Sequence, residues 1–245
     1  MRALVLMLLL AACASPPPRF ALPEEAGADV LVLDQRPKSG PRPRKEPLIR
    51  YAADGTMRTG AGEARLEPEE LQDLLAYVID EKRFFDLDTE AIRLKLHQEN
   101  SRRGSALAVL RAPVSVIEVR LRDRTHRVEV HALQFQANTH PTIAALQQLA
   151  AIERKLVRSS SVALLGGTDG AARVLALANE ELARRYPQRT ALALTDLAGV
   201  GRRKDGARVA HFRRDESARE VSYVIVLLPV DGEPTAMMPT TPRDS

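Results

Sequence analysis

The spacing of apolar residues switches along this chain, and the switch limits the folds open to it. Leu71, Leu74, Leu75, Val78 and Ile79 recur every three or four residues, which puts them on one face of a helix opening at Pro68. Glu69 and Glu70 fill its first turn and Lys82 and Arg83 its last, matching the helix dipole at both ends. Further on, Ile117, Val119 and Leu121 alternate with Glu118, Arg120 and Arg122, and Val128 and Val130 alternate with Arg127, Glu129 and His131. A period of two over two adjacent runs is a hairpin with one buried and one wet face. Helical and strand periods that follow each other in blocks point to an α+β fold with mainly antiparallel sheets.

Charge selects the register of that hairpin. A turn centred on Asp123-Arg124 would set Arg120 opposite Arg127 and Glu118 opposite Glu129, two like-charge pairs that cost stability. Centring it on Arg122-Asp123 sets Glu118 opposite Arg127 instead, and this register is preferred. Upstream, Asp29 to Asp34 is a short apolar strand, followed by a Pro-rich basic loop from Arg36-Pro37 to Pro47. Asp54-Gly55 between Leu48–Tyr51 and Thr56–Arg58 marks a tight hairpin. Residues 88–104 are polar and fit neither period cleanly, with Ile92, Leu94 and Leu96 in a local alternation. A second helix is expected from Pro141 to about Val157, so that residues 29–158 form one α+β domain.

Ser159-Ser160-Ser161 and Gly166-Gly167-Thr168-Asp169-Gly170 read as a linker over 159–170. A second domain, 171–238, then reads as one helix followed by a sheet. Val174, Leu175, Ala178 and Leu182 stripe a helix from Ala171 to Arg185, stopped by Pro187. Strands are expected at Thr190–Leu194, at Arg208–Arg213, and at Glu220–Leu228, whose almost unbroken apolar run belongs at the centre of a sheet. Asp231-Gly232 turns into an edge strand at 235–238, and a polar tail follows over 239–245. One helix on a three- or four-stranded meander resembles the cystatin-like fold in element order. Cystatin inhibitors use a Gln-x-Val-x-Gly hairpin against papain-like proteases, and the nearest stretch here, Leu197-Ala198-Gly199-Val200-Gly201, lacks the Gln.

The first thirteen residues are of a different kind. Arg2 precedes an apolar run, Ala3–Leu10, far shorter than the ~18 residues that span a bilayer. Leu10-Ala11-Ala12-Cys13 resembles the lipobox of bacterial lipoproteins, in which an aliphatic residue and two small ones are recognised by the signal peptidase and the thiol carries a diacylglyceryl group. The resemblance implies a signal peptide over 1–12, lipidation (with palmitate among the acyl chains) at Cys13, and a lipid-anchored location. Ala14, in place of an Asp after the Cys, favours the periplasmic face of the outer membrane. Cys13 is the single cysteine, so no disulfide competes for it. The same stretch also reads as an A-x-A site cut after Ala14. Residues 13–28, with Pro16, Pro17, Pro18 and Pro23, form a stiff solvated tether.

Few residues suggest chemistry. The histidines His97, His126, His131, His140 and His211 show no metal-ligand spacing, and His126 and His131 fall on opposite faces of one strand. His140, before Pro141, sits where a helix N-cap would be. The Gly166–Gly170 loop lacks the Gly-Lys-Ser/Thr of a phosphate-binding loop. The acidic face of Glu70, Asp73, Asp80 and Glu81 and the pairs Glu69/Glu70 and Glu180/Glu181 read as solvated helix surface. A net charge of +4 with 4% aromatic residues argues against a nucleic-acid partner. The reading is therefore a lipid-anchored envelope protein of binding or structural role, without catalytic residues, cofactor or metal, whose partner is an envelope protein or polymer. A cystatin-like protease inhibitor and a periplasmic hydrolase without a recognisable motif are the alternatives.

Overall fold

The computed structural model describes residues 19–25, 27–37, 46–103, 112–216 and 221–238. The fold is α+β and contains two antiparallel sheets. The first has six strands in the order β4-β3-β2-β1-β5-β6, from β1 (Asp29–Pro37), β2 (Ile49–Ala52), β3 (Thr56–Thr59), β4 (Gly62–Arg65), β5 (Pro113–Arg120) and β6 (Thr125–His131). The second is a meander, β7 (Leu197–Arg202), β8 (Arg208–Asp215), β9 (Val221–Leu228) and β10 (Thr235–Met237), in which β7 and β10 are the edges.

Among the described residues five α-helices serve the two sheets: α1 (Pro68–Ala76), α2 (Thr89–Arg103), α3 (Leu133–Thr139), α4 (Ala144–Leu164) and α5 (Gly167–Arg185). α1 forms where its periodicity requires, with Leu71, Leu74 and Leu75 buried, and a π-helical turn over Tyr77–Glu81 carries Val78 and Ile79 into the same core. The Glu70 carboxylate accepts the free N–H of Glu67 and closes the first turn. The Asp54-Gly55 hairpin is present, with Gly55 at φ +82°. The β5–β6 ladder has Glu118 opposite Arg127, the register the charges select.

Several expectations are corrected. Residues 159–170 are not an extended linker: α4 runs to Leu164 and α5 begins at Gly167, after a bend of 91°. The hydroxyls of Ser160 and Ser161 both donate to the Val157 carbonyl, at 2.9 and 2.7 Å, so this serine run is satisfied inside a helix. α4 starts at Ala144 rather than Pro141, and His140 ends α3 instead of capping the next helix. Within 88–104, residues Thr89–Arg103 form α2, of which Ile92 is buried and Leu94 is 58% exposed. Thr190–Leu194 is not a strand, and the first strand of the second sheet lies further on, at β7. The described part of the expected tether docks on the fold: Phe20 is buried, its N–H donates to Gln72 Oε1 at 2.8 Å, and its carbonyl accepts from Gln72 Nε2 at 3.2 Å.

Two hydrophobic cores meet along α4. Leu146, Leu149, Ile152 and Leu156 pack into the first core with Leu31, Leu33, Tyr51 and Val119, while Val162 and the adjoining Leu165 pack on the second, around Val174, Ala178, Leu182, Phe212, Val224 and Val226. Val200 of β7 touches both cores. The two sheets therefore share one helix as a common wall. Among the described residues no single helix is long and apolar enough to cross a membrane.

Candidate functional site

Where the two sheets flank α4, a groove of about 840 Å³ opens. One wall is β7, which contributes Ala198, Gly199, Val200, Gly201 and Arg202 in unbroken succession. A strand that presents a face to a cavity contributes alternate residues. Five consecutive ones mean that β7 presents its edge. The opposite wall is the start of β2 (Leu48, Ile49) with the Gly60-Ala61 turn, and the floor is Val157, Ser160, Ser161 and Leu164 of α4.

The edge is unpaired and partly shielded: Ala198 and Arg202 are exposed, and Gly199, Val200 and Gly201 are half-buried beside α4. β7 pairs with β8 on one side only, with a bulge between Leu197 and Gly199. Apart from that ladder, the main chain of residues 198–202 makes no hydrogen bond among the described residues. Gly199 and Gly201 keep the strand slim: a Cβ built on Gly199 would find its nearest neighbour, Val157 Cγ1, at 4.0 Å. At the end of β7 the charge is basic. Arg202 and Lys204 have no carboxylate within ion-pair reach among the described residues, Arg203 pairs with Asp205 at 3.1 Å, and Arg208 Nη1 donates to the Leu164 carbonyl. The groove itself is lined by two charges, Glu46 and Arg202.

A second polar centre lies behind the wall. Glu153 of α4 is 3% exposed; its Oε1 accepts from Gln35 Nε2 at 3.1 Å and from Ser115 Oγ at 2.8 Å, and its Oε2 accepts from Gln134 Nε2. Arg154 Nη1 donates to Gln134 Oε1 at 3.0 Å. These bonds tie β1, β5, α3 and α4 together, and Gln35 also lines the groove. Ser115 is 4% exposed, and its hydroxyl is committed as a donor to the Glu153 carboxylate. The arrangement is a buried hydrogen-bonded brace beneath a cavity of about 180 Å³.

The residues singled out in sequence fall as follows. Cys13 and Leu10, Ala11 and Ala12 lie outside the described residues. The histidines are scattered: His97 is exposed, His126 Nε2 lies 2.7 Å from the Leu87 carbonyl oxygen, and His140 is fully buried with no partner for either ring nitrogen among the described residues. His211 Nδ1 sits 2.6 Å from Tyr223 Oη on the outer face of the second sheet, where burial lowers its pKa below the usual 6.5. Among the described residues no group of three or more His, Cys, Asp or Glu is placed to hold a metal. Glu69 and Glu70 are exposed as expected. Glu181 is not: at 7% exposure it is gripped by Arg184 and Arg185, and the hydrogen bonds from Arg184 hold its carboxyl below the usual range. Leu197–Gly201, the stretch compared with the cystatin hairpin, lies within the β7–β8 ladder, and the hairpin tip falls at residues 203–207.

Fold and groove together define a two-sheet α+β protein with a lateral cleft against an unpaired sheet edge. No protein-family profile, curated protein or solved structure matches the chain.

Proposed function

We propose that this protein is a lipid-anchored component of the bacterial cell envelope with a binding role, held through Cys13 at the periplasmic face of the outer membrane. Its working surface is the groove between the sheets. One observation carries the binding part: a sheet edge unpaired among the described residues, Ala198–Arg202, forms one wall of a groove of about 840 Å³. The anchor rests on Leu10-Ala11-Ala12-Cys13.

Two measurements test the two parts. In a Gram-negative host fed alkyne-palmitate, the wild type takes up label and sediments with membranes, while Cys13→Ser is unlabelled and soluble. An unlabelled, soluble wild type cut after Ala14 overturns the anchor. A photo-crosslinking residue placed at Ala198 or Leu48 yields an adduct with an envelope component, and one placed at Glu69, on the far acidic helix, does not. Equal adducts at all three positions, or none, overturn the groove as the binding surface.

A further inference from the structure

We propose that the outer edge of β7 takes up an extended acidic peptide as a fifth strand of the second sheet. The proposal rests on the groove being the binding surface and specifies how the partner is held.

Four strands end the two sheets, and they are not treated alike. The edge of β6 is met by Thr89 at the start of α2, whose hydroxyl oxygen accepts the Glu129 N–H at 3.0 Å. β10 is three residues long and lies between Pro234 and Pro239. β4 alternates Glu63 and Arg65 with small residues, and Glu63 is paired with Arg58. Covering, shortening, proline and charge are the devices by which proteins keep sheet edges from pairing. From Leu197 to Gly201, β7 carries no charge and no proline, and among the described residues the main chain of 198–201 makes no bond outside the β7–β8 ladder, while the Leu197 N–H is taken by the Leu194 carbonyl. An edge left open in this way is a template for a strand.

The shape of the groove and its charges choose the occupant. Pairing across five residues needs an extended segment of about 17 Å, at ~3.3 Å per residue. The edge lies between α4 and the β2 wall, so a slim single strand can enter it. A second copy of this chain would bring its own β7 recessed in the same way, and two recessed edges cannot meet. The segment 38–45, which in sequence precedes Glu46, is a poor donor, because Pro41 and Pro43 lack the N–H a ladder requires. At the end of β7 stand Arg202, Arg203, Lys204 and Arg208; among the described residues Arg203 pairs with Asp205, Arg208 donates to the Leu164 carbonyl, Arg202 and Lys204 have no carboxylate within ion-pair reach, and Glu46 is the carboxylate that lines the groove. A partner with carboxylates at that end complements them.

The test uses the lipidated full chain in detergent micelles and fluorescein-labelled peptides that alternate valine and threonine and end in two aspartates or two lysines. The aspartate peptide binds, and binding slows hydrogen exchange at residues 198–202. The lysine peptide binds at least about tenfold more weakly, the effect of one charge-assisted contact. Methylating the peptide amides at one set of alternate positions abolishes binding, and methylating the other set leaves it intact, because a strand offers its donors to one neighbour at every second residue. Arg202→Glu narrows or reverses the charge preference with thermal stability unchanged. No binding at millimolar peptide, equal binding of both methylated series, or self-association that protects β7 each overturns the proposal. If the peptides fail while Ala198 still crosslinks in the envelope, strand addition is wrong and the groove reading stands. If the crosslinks fail as well, both fall.

Discussion

Replacing Gly170 with alanine sets two known effects against each other, and the structure decides between them. Gly170 is buried in the first turn of α5, where alanine would gain up to ~1 kcal/mol of helix propensity. A Cβ there would lie 1.8 Å from the Leu165 carbonyl oxygen and 2.8 Å from its carbon. Both are main-chain atoms at the bend between α4 and α5, so no flexible side chain can yield. The two helices must part by roughly 1 Å or more, and overpacking of this kind costs up to ~3 kcal/mol. The net loss is about 2 kcal/mol, which for a chain of this size lowers Tm by roughly 4–8 °C. The control is Gly60→Ala, where the added Cβ meets nothing within 4 Å and Tm should hold or rise slightly. Thermal unfolding followed by circular dichroism reads both. A Gly170→Ala protein as stable as the wild type, or more so, would refute the view that the α4–α5 junction is fixed by this contact. Because α5 carries the second sheet, the same substitution should also weaken peptide capture in the groove.

Three further outcomes follow from buried polar groups. Glu153→Ala leaves donors from Gln35, Ser115 and Gln134 without an acceptor and should cost about 3 kcal/mol in urea unfolding, whereas Glu153→Gln keeps one carbonyl oxygen and should cost less than half of that. Tyr51 is 1% exposed and donates to the Leu156 carbonyl at 2.8 Å; burial raises its pKa, so the unfolded phenol ionises first and stability falls as pH climbs above about 10. Tyr51→Phe should lose about 1 kcal/mol at neutral pH and flatten that alkaline fall. His211 has its pKa lowered by burial, so its contribution is present above about pH 6.5 and is lost as pH drops and the unfolded chain takes up the proton first. Its NMR titration should show a midpoint below 6.5, and His211→Gln should remove the corresponding dependence; a midpoint above 6.5 would contradict the burial argument.

What could be read from the chain, and what could not, divides along physical lines. The α1 face and the β5–β6 register were legible because each rests on local repetition: five apolar residues on a helical period, and opposite charges across a short turn. α2 was not, because it is polar almost all round. It is supported by the Asp88 side chain accepting the Ala91 N–H at 2.7 Å and by the i,i+3 pairs Glu90–Arg93 and Glu99–Arg102 rather than by an apolar stripe. Thr190–Leu194 alternates like a strand, yet the Asn179 side chain takes both main-chain groups of Leu192, its N–H at 2.7 Å and its carbonyl at 3.1 Å. With those groups committed to a helix, the segment cannot join a ladder, and the glycine-bearing residues 197–202 do so despite weaker strand propensity. Such an override is tertiary, and no local pattern announces it. The groove was illegible for the same reason, since which strand ends a sheet is a property of topology.

The consequence for binding comes from α4. A flexible serine linker would let the two sheets reorient, and a strand entering between them would have to freeze that motion. Here Ser160 and Ser161 sit inside a 21-residue helix with their hydroxyls bonded back to Val157, and the same helix supplies side chains to both cores. Val200, in the middle of the open edge, is itself packed against both. The wall, floor and edge of the groove are therefore set before any partner arrives, and the ordering cost of capture falls on the incoming peptide alone. That division makes a definite claim about affinity. Substitutions that loosen the α4–α5 junction should weaken peptide binding even though none of them touches the groove, whereas changes of equal thermal cost around Glu90 on the far helix should leave it unaltered.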